Sequence, residues 1–505
     1  MAAMIQDAIE RLRSRGIAVE GRAPDGLQVD GVTEVSTRCG EGSMFVAIRG
    51  ARADGHAYLA DAASRGARVA LVCDPAAVAP EGMTLLRVED TRRAAGPLAQ
   101  FIAGDPSRAM DVIGVTGTNG KTTTTFLLEA IFKAAGRRAG LLGTVVQRWG
   151  ERTVTPDETT PSAPALADRM REMAADGVDA LAMEVSSHAI DQHRIDGIRF
   201  RAVGLTNVTQ DHLDYHRTME AYAEVKASLF KRMHEENPGA IGAVNLDDPT
   251  GARIARMLRP EHRLAYSVSD ESADLLAESI LFHDDGFQLR INFRGDRFRL
   301  DSPMHCYFNA INCMTATALA LAAGIEIEPI RAAVAGFRGA PGRFELVEGL
   351  PGVRIVVDYA HTPDALTQVL LNARRFARGR LIAVFGCGGD RDRAKRPLMG
   401  RAAARLAHRS IVTNDNPRTE DPREIARQIV EGMPPELAND PSAVRVILDR
   451  RAAIRSAVEG AAPGDAIVIA GKGHEDYQIV GREKRHFDDR EVAREAIAEF
   501  AGAPA

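Results

Sequence analysis

Residues 114–122 read Gly-Val-Thr-Gly-Thr-Asn-Gly-Lys-Thr, directly after an apolar run and directly before a helical pattern. A bound phosphate needs that context. Glycines let backbone N–H groups curl around the anion and the helix N-terminus adds its dipole. The Lys121 ammonium can reach the β- and γ-phosphates, and the Thr122 hydroxyl can ligate Mg²⁺. The spacing departs from a strict Walker A motif at one place, where Val115 stands in the position of a Gly five residues before Gly120. Acids and histidines that could complete a metal site follow at the ends of later apolar runs. They are Glu184 in Met183-Glu184-Val185-Ser186-Ser187-His188 and His212 in Asn207-Val208-Thr209-Gln210-Asp211-His212. Ligands of open α/β sheets sit outside the carboxyl ends of strands, so both would face the phosphates. Taken singly each reads as a solvated loop residue; with a phosphate loop upstream they read as one site.

A second group of candidates lies late in the chain: Gly386-Cys387-Gly388-Gly389-Asp390-Arg391, Asp415-Asn416-Pro417-Arg418 and Gly471-Lys472-Gly473-His474-Glu475. Each follows an expected strand, so all three would gather at one edge of one sheet. A lone Gly-x-Gly-Gly is as readily a structural turn, and it is the convergence of three strand ends that suggests a ligand site. No Lys stands in an Asn-Lys-x-Asp guanine reader, which argues against a GTPase. Lysine is scarce: Lys121, Lys133, Lys226, Lys231, Lys395, Lys472 and Lys484 are the only ones among 64 basic residues. Where any cation would do, this composition supplies Arg. Lys121, Lys226 and Lys472 are therefore candidates for work that needs a compact ammonium or a deprotonatable amine, although Lys226 alone reads as a helix-surface cation.

These residues must be positioned by about three domains, given 505 residues at roughly 100–200 per domain. The first hundred residues alternate short apolar runs (44–48, 69–72, 85–88) with helical patterns such as 58–64, a small α/β unit. Gly104-Asp105-Pro106-Ser107 marks a boundary, giving an N-terminal domain over 1–105. Strands at 111–116, 180–185 and 202–207 alternate with helices, so the central domain, 106–338, is expected to be a P-loop ATPase domain with a mostly parallel sheet. Polar alternation between 280 and 300 predicts antiparallel hairpins at its edge. After Gly339-Ala340-Pro341-Gly342, residues 339–505 read as a C-terminal, Rossmann-like doubly wound domain. Its strands are expected at 355–358, 381–385, 411–414 and 466–470. Thr362-Pro363-Asp364 predicts a capped helix start, and Asp421-Pro422-x-Glu424 predicts a capping box.

Composition narrows the function classes. At 45% hydrophobic and 26% charged, with a formal net charge of −5, the chain offers no electrostatic case for nucleic acid or an anionic membrane. Five spread cysteines without a Cys-x-x-Cys pair argue against a disulfide scaffold or zinc site. The N-terminus reads as an amphipathic helix and lacks the apolar core of a signal peptide. Residues 306–325 are uncharged, but their Asn and Thr content marks a buried helix in place of a membrane span. The expected location is the cytoplasm.

The run from Thr116 to Thr122 resembles the ATP signature of the Mur ligases. Glu184-Val185-Ser186-Ser187-His188, Asn309-Ala310-Ile311-Asn312, Gly342-Arg343-Phe344-Glu345 and Asp358-Tyr359-Ala360-His361 follow in that family's order. Within the family, Asp415-Asn416-Pro417-Arg418 and Gly471-Lys472-Gly473-His474-Glu475 resemble the branch that adds meso-diaminopimelate. The resemblance implies an ATP-dependent amide-bond-forming ligase acting on UDP-N-acetylmuramoyl-L-alanyl-D-glutamate through an acyl phosphate. It places ATP at Gly117, Thr118, Asn119, Gly120, Lys121, Thr122, Thr123, Asn309, Arg343 and Asp358. Lys121, Glu184, His212 and Lys226 become the catalytic set. One Mg²⁺ falls to Thr122 and Glu184 and another to His212 and Lys226, the lysine carrying a CO₂-derived carbamate.

The same resemblance points to Val35, Thr37, Ala51, Arg52, Ala53, Thr159, Thr160, Ser186, Gln192 and Arg194 for the UDP-sugar peptide. For meso-diaminopimelate it points to Arg391, Asp415, Asn416, Pro417, Arg418, Gly471 and Glu475. A guanidinium such as that of Arg418 would grip the second carboxylate, which lysine lacks. Two departures stand out: Ser36-Thr37-Arg38 where the family often has Asp-Ser-Arg, and Glu158 before the Thr pair, where a neutral residue is expected. The implied partners are small molecules, with no nucleic acid and no membrane insertion, and a monomer is expected. Rival readings are a sister ligase (one adding L-lysine or D-alanyl-D-alanine, or a folylpolyglutamate synthase) and a nucleotide-binding scaffold without catalysis.

Overall fold

The computed structural model describes residues 2–50 and 53–501, so Ala51 and Arg52 lie outside the described residues. The chain divides into two compact units. One runs up to His283 and adds Phe287–Pro303 and Phe308–Phe337; the other comprises Asp284–Gly286, Met304–Tyr307 and the chain from Arg338 onward. The first unit holds two main sheets and the second one, which makes a three-domain α/β architecture.

In the first sheet, Gly31–Thr33, Ser43–Val46, Val69–Val72 and Thr84–Arg87 run parallel in that order. Side chains alternate between faces, and here both faces are apolar. Met44, Val46, Val69, Leu71 and Leu86 join Ile5, Ile9 and Leu12 of the helix Ile5–Ser14 on one side. Phe45, Ala70, Val72 and Leu85 join Leu59 and Ala62 of the helix Leu59–Ser64 on the other. A parallel sheet covered twice is what near-continuous apolar runs encode.

The second sheet has eleven strands. Its seven central ones, in spatial order Ala139–Leu142, Ala180–Glu184, Asp111–Thr116, Phe200–Leu205, Ile241–Asn245, Arg263–Ser267 and Leu275–His283, run parallel. One edge ends in the expected antiparallel pair, Gly286–Phe293 with Asp296–Ser302. The other edge ends in a hairpin the sequence reading did not foresee, Gln147–Trp149 with Arg152–Val154. Val115 is buried within the strand Asp111–Thr116, so the loop proper starts at Gly117 and the missing Walker glycine falls on strand, not loop. The uncharged segment forms the helix Tyr307–Ala322, buried from Asn309 to Ala320 except at Ile311. No described helix is long and apolar enough to cross a membrane, and all five cysteines are free.

The sheet of the second unit has the order Glu345–Val347, Arg354–Asp358, Ala466–Ala470, Leu381–Phe385, Arg409–Val412 and Val444–Val446, parallel except for its first strand. Its helices include Pro363–Arg374, Lys395–Leu406, Pro422–Val430, Arg450–Glu459 and Asp489–Ala501. Thr362 caps the first through its side chain, which accepts from the Ala365 N–H at 3.2 Å. Asp421 likewise accepts from the Arg423 N–H, but the capping box is not formed. The Glu424 carboxylate takes hydrogen bonds from Arg427 and Gln428 and not from the Asp421 N–H, because an i,i+3 guanidinium outcompetes a backbone amide.

Candidate active site

The turn after Asp111–Thr116 is fixed by its neighbours. Gly117 has φ 147° and Gly120 φ 90°, and a Cβ at either would overlap Thr206 Oγ1 or Asn312 Oδ1 respectively, so both positions demand glycine. The Thr206 hydroxyl donates to the Asn119 carbonyl at 2.6 Å, and the Asn119 N–H donates to Asn207 Oδ1 at 3.1 Å. The Thr118 N–H donates to the Asn207 carbonyl at 2.8 Å. Lys121 Nζ donates to the carbonyls of Gly117 and Thr118, both at 2.9 Å. The helix Lys121–Ala134 starts here with Thr122 and Thr123 buried. Asn309 sits one turn before Asn312, whose amide donates to it at 3.2 Å.

Lys226, on the helix Met219–Glu236, is 1% exposed, which rules out the alternative of a helix-surface cation. Its Nζ donates to the Gly117 carbonyl at 2.9 Å and lies 4.6 Å from the Tyr222 ring centroid. Burial, then the charge of Lys121, pushes its pKa well below the ordinary lysine value. Glu184 is buried at its strand end; its carboxylate accepts from the Thr144 N–H at 2.9 Å and the Thr144 hydroxyl at 3.0 Å. His212 stands edge-on to His188, with centroids 4.9 Å apart. His188 also contacts Tyr215 and His216. Burial lowers the pKa of all three histidines, so their rings are neutral at physiological pH.

These donors fit Mg²⁺. The Thr122 hydroxyl and Glu184 carboxylate are hard oxygens. Among the described residues no group of three His, Cys, Asp or Glu is preassembled for a metal. The burial that lowers the Lys226 pKa favours the neutral amine, the form that can add CO₂.

Thr159, Thr160, Ser186, Gln192 and Arg194 are drawn into one connected patch. The Thr160 hydroxyl donates to the Glu184 carbonyl at 2.8 Å and accepts from the Ser186 N–H at 3.1 Å. Thr159 shares a hydroxyl contact with Thr144 at 3.0 Å. Arg194 donates to the Thr160 carbonyl and to Gln192 Oε1, and pairs with Glu158. Val35 and Thr37 follow the strand Gly31–Thr33, Thr37 in the short helix Ser36–Arg38. Ala53 accepts from the Gly50 N–H at 2.9 Å.

In the second unit the three late loops are laced together. The Arg418 guanidinium donates to the Gly389 carbonyl at 2.8 Å, and the Gly389 N–H to the Asn416 carbonyl at 2.9 Å. Asn416 Nδ2 donates to Glu475 Oε2 at 3.0 Å, and Lys472 Nζ, fully buried, donates to the same oxygen at 2.9 Å. Gly471 has φ 119°, and its missing Cβ would lie 2.6 Å from Asp415 Oδ2. Pro417 shapes the same turn, since a Cβ at Gly389 would overlap its carbonyl. Arg391 is exposed, and its side chain flanks Gly388 beside that of Arg418, 3.5 and 3.0 Å from where a Cβ there would stand. Asp358 is used locally: its carboxylate accepts from the Phe344 and Ala360 N–H groups, both at 2.7 Å. Burial raises its pKa, and Arg343 opposes the rise.

Three bracing residues escaped the sequence reading. Arg396, 0% exposed, donates to Glu420, Gln428 and the Gly388 carbonyl, while Glu420 accepts from the Asp390 N–H at 2.6 Å. Arg450, paired with Asp489 at full burial, donates to the Asn414 carbonyl at 3.1 Å and the Ala470 carbonyl at 2.9 Å. Each guanidinium ties together two of the three loops or their strand ends. His56 does similar work in the first unit, its Nε2 accepting from the Cys73 and Asp74 N–H groups at 3.1 and 3.2 Å. A lone Arg or His carries no periodic signal, so only the two rare features around them, a glycine loop and an Asp-Gly-His turn, could have drawn notice.

Three family models match the chain: the Mur ligase family catalytic domain over residues 28–102, the Mur ligase middle domain over 115–320 and the Mur ligase glutamate ligase domain over 342–473. UDP-N-acetylmuramoyl-L-alanyl-D-glutamate-2,6-diaminopimelate ligase of Geobacter metallireducens is 42% identical over 490 residues, covering 94% of this chain and 95% of that one. The enzyme of the same name from Synechococcus elongatus is 44% identical over 481 residues, with coverage of 94% and 95%. A solved structure of a ligase of that name superposes with a TM-score of 0.72 at 32% identity, covering both chains entirely.

Proposed function

The chain belongs to the Mur ligase family, and on that premise we propose that it adds meso-diaminopimelate to UDP-N-acetylmuramoyl-L-alanyl-D-glutamate, consuming ATP. The product is the UDP-linked tripeptide of peptidoglycan synthesis. The observation that supports the substrate choice is the lacing of Asp415-Asn416-Pro417-Arg418 to the loops 386–391 and 471–475, which joins the loops that carry Arg418 and Glu475. A substrate end bearing both an ammonium and a carboxylate suits Glu475 and Arg418 together; lysine offers only the ammonium.

In the first step a D-glutamyl carboxylate oxygen bonds to the γ-phosphorus of ATP, the bond to the bridging oxygen breaks and ADP is released. In the second the diamino acid's amine attacks the acyl carbon, loses a proton, and phosphate leaves. No protein nucleophile is needed, so the residues bind, orient and balance charge. Gly117–Thr123 and Asn309 are assigned to the nucleotide, as are Arg343 and Asp358. Lys121, which donates to its own loop carbonyls here, exchanges those acceptors for the γ-phosphate. Glu184 with Thr122, and His212 with Lys226 as its carbamate, are the assigned magnesium ligands. Mg²⁺ when bound neutralises the charge that develops on the transferred phosphoryl group. The carbamate forms when the Lys226 nitrogen bonds to CO₂ and releases a proton.

Val35, Thr37, Ala51–Ala53, Thr159, Thr160, Ser186, Gln192 and Arg194 are assigned to the UDP-linked dipeptide. Residues 1–105, 106–338 and 339–505 are the corresponding domains, working as a cytoplasmic monomer. ADP release by the full chain with ATP and the UDP-dipeptide, with meso-diaminopimelate or L-lysine in parallel, tests the reading. Turnover with meso-diaminopimelate alone is expected. Turnover only with lysine keeps the mechanism and overturns the substrate, and silence with both overturns the ligase.

A further inference from the structure

We infer that Glu158 is an affinity-setting latch, a carboxylate of the protein that holds Arg194 until a carboxylate of the UDP-linked dipeptide takes its place. The inference rests on the assignment of Arg194 to that substrate. An acid beside Thr159 and Thr160 is out of keeping with a polyanionic substrate, which it repels. Its position explains it. Glu158 pairs with Arg194 Nη1, and its other carboxylate oxygen lies 3.4 Å from Nη2. The remaining donors of the guanidinium are committed to neutral acceptors: Nη1 to the Thr160 carbonyl at 2.9 Å, and Nε and Nη2 to Gln192 Oε1 at 3.1 and 2.8 Å.

Those neutral acceptors are built in. Thr160 is tied through its hydroxyl to Glu184 and Ser186 at the strand end, and Gln192 also donates to Tyr215 at 3.3 Å. Glu158 is the one charged partner of Arg194 among the described residues, and 52% of its side chain is exposed against 17% for Arg194. It can therefore leave without moving a strand, while the guanidinium stays aimed. A carboxylate arriving from solvent meets a fork already oriented by Thr160 and Gln192 but must first displace the resident acid.

Steady-state kinetics of the full chain carrying Glu158→Gln, which keeps size and hydrogen bonding and removes charge, tests this. An exposed ion pair of this kind predicts that KM for the UDP-dipeptide falls roughly two- to fivefold. The kcat and the KM for ATP stay unchanged. Arg194→Ala raises the same KM, and in that background Glu158→Gln brings no gain. If Glu158→Gln leaves KM unchanged or raises it while Arg194→Ala still raises it, the latch is wrong and the role of Arg194 stands. If Arg194→Ala leaves KM unchanged, the assignment of Arg194 falls and the latch with it.

Discussion

An amine where Lys226 sits gives up its proton more readily than in water, because burial disfavours the charged form and Lys121 lies close enough to repel it. That is the condition for CO₂ capture, which only the neutral amine performs. Lys226→Arg should abolish ligation by a factor of roughly 100 or more, since guanidinium neither deprotonates nor becomes an anionic ligand. The check has two parts: ADP release, and the carbonyl resonance of a lysine carbamate after growth or equilibration with ¹³C-bicarbonate, present in the parent and absent in the variant. Full activity in Lys226→Arg, or an unchanged carbamate signal after the substitution, would reject the role. Scarcity of lysine made this position visible in the sequence, but its burial was not legible there. Ala223-Glu224-Val225-Lys226 looks like a solvated helix face until Tyr222 and the Gly117 carbonyl are seen to enclose it.

Strand ends, helix starts and loops were largely legible, because each has a local cause. Apolar runs closed by glycine or Asp/Asn turns mark the strands at 111–116, 180–184, 354–358, 381–385 and 466–470, and the chemistry follows them directly. What joins those loops was not legible, since Arg396 and Arg450 act across distances of 24 and 39 residues through partners no periodicity links to them. The same blindness hid the failure of the Glu424 capping box. Buried ion pairs of this kind add little net stability, so their consequence is better sought in positioning. Arg396→Lys keeps one charge but cannot span Glu420, Gln428 and the Gly388 carbonyl at once. It should raise KM for meso-diaminopimelate about tenfold or more, leave KM for ATP and the UDP-dipeptide within twofold, and spare kcat at saturation. Equal rises in all three KM values would mean a general loss of structure.

At the scale of the whole molecule, burial holds four histidines below their ordinary pKa. Burial, followed by the charges of Arg343, Arg490 and Lys472, lowers the pKa of His474 to about 3, and burial lowers those of His188, His212 and His216. Below the ordinary histidine value the unfolded chain binds protons that the native chain refuses, so stability falls as pH drops from about 6.5 toward 3. His474→Gln should remove on the order of 1–2 kcal/mol of the loss between pH 7 and 5. Thermal melts at the two pH values would show a smaller drop in Tm than in the parent, with the other three histidines leaving a residual slope. An identical drop would show that His474 does not titrate as its surroundings dictate. The hairpin Gln147–Val154 has a different importance at this scale. It caps Ala139–Leu142, a strand buried at every residue, and presents Arg148 and exposed Arg152 in its place. Without it the outermost ladder of the eleven-stranded sheet would be an apolar edge able to recruit the same edge of another molecule. A few residues at the sheet's margin thereby protect the protein from polymerising through its own sheet.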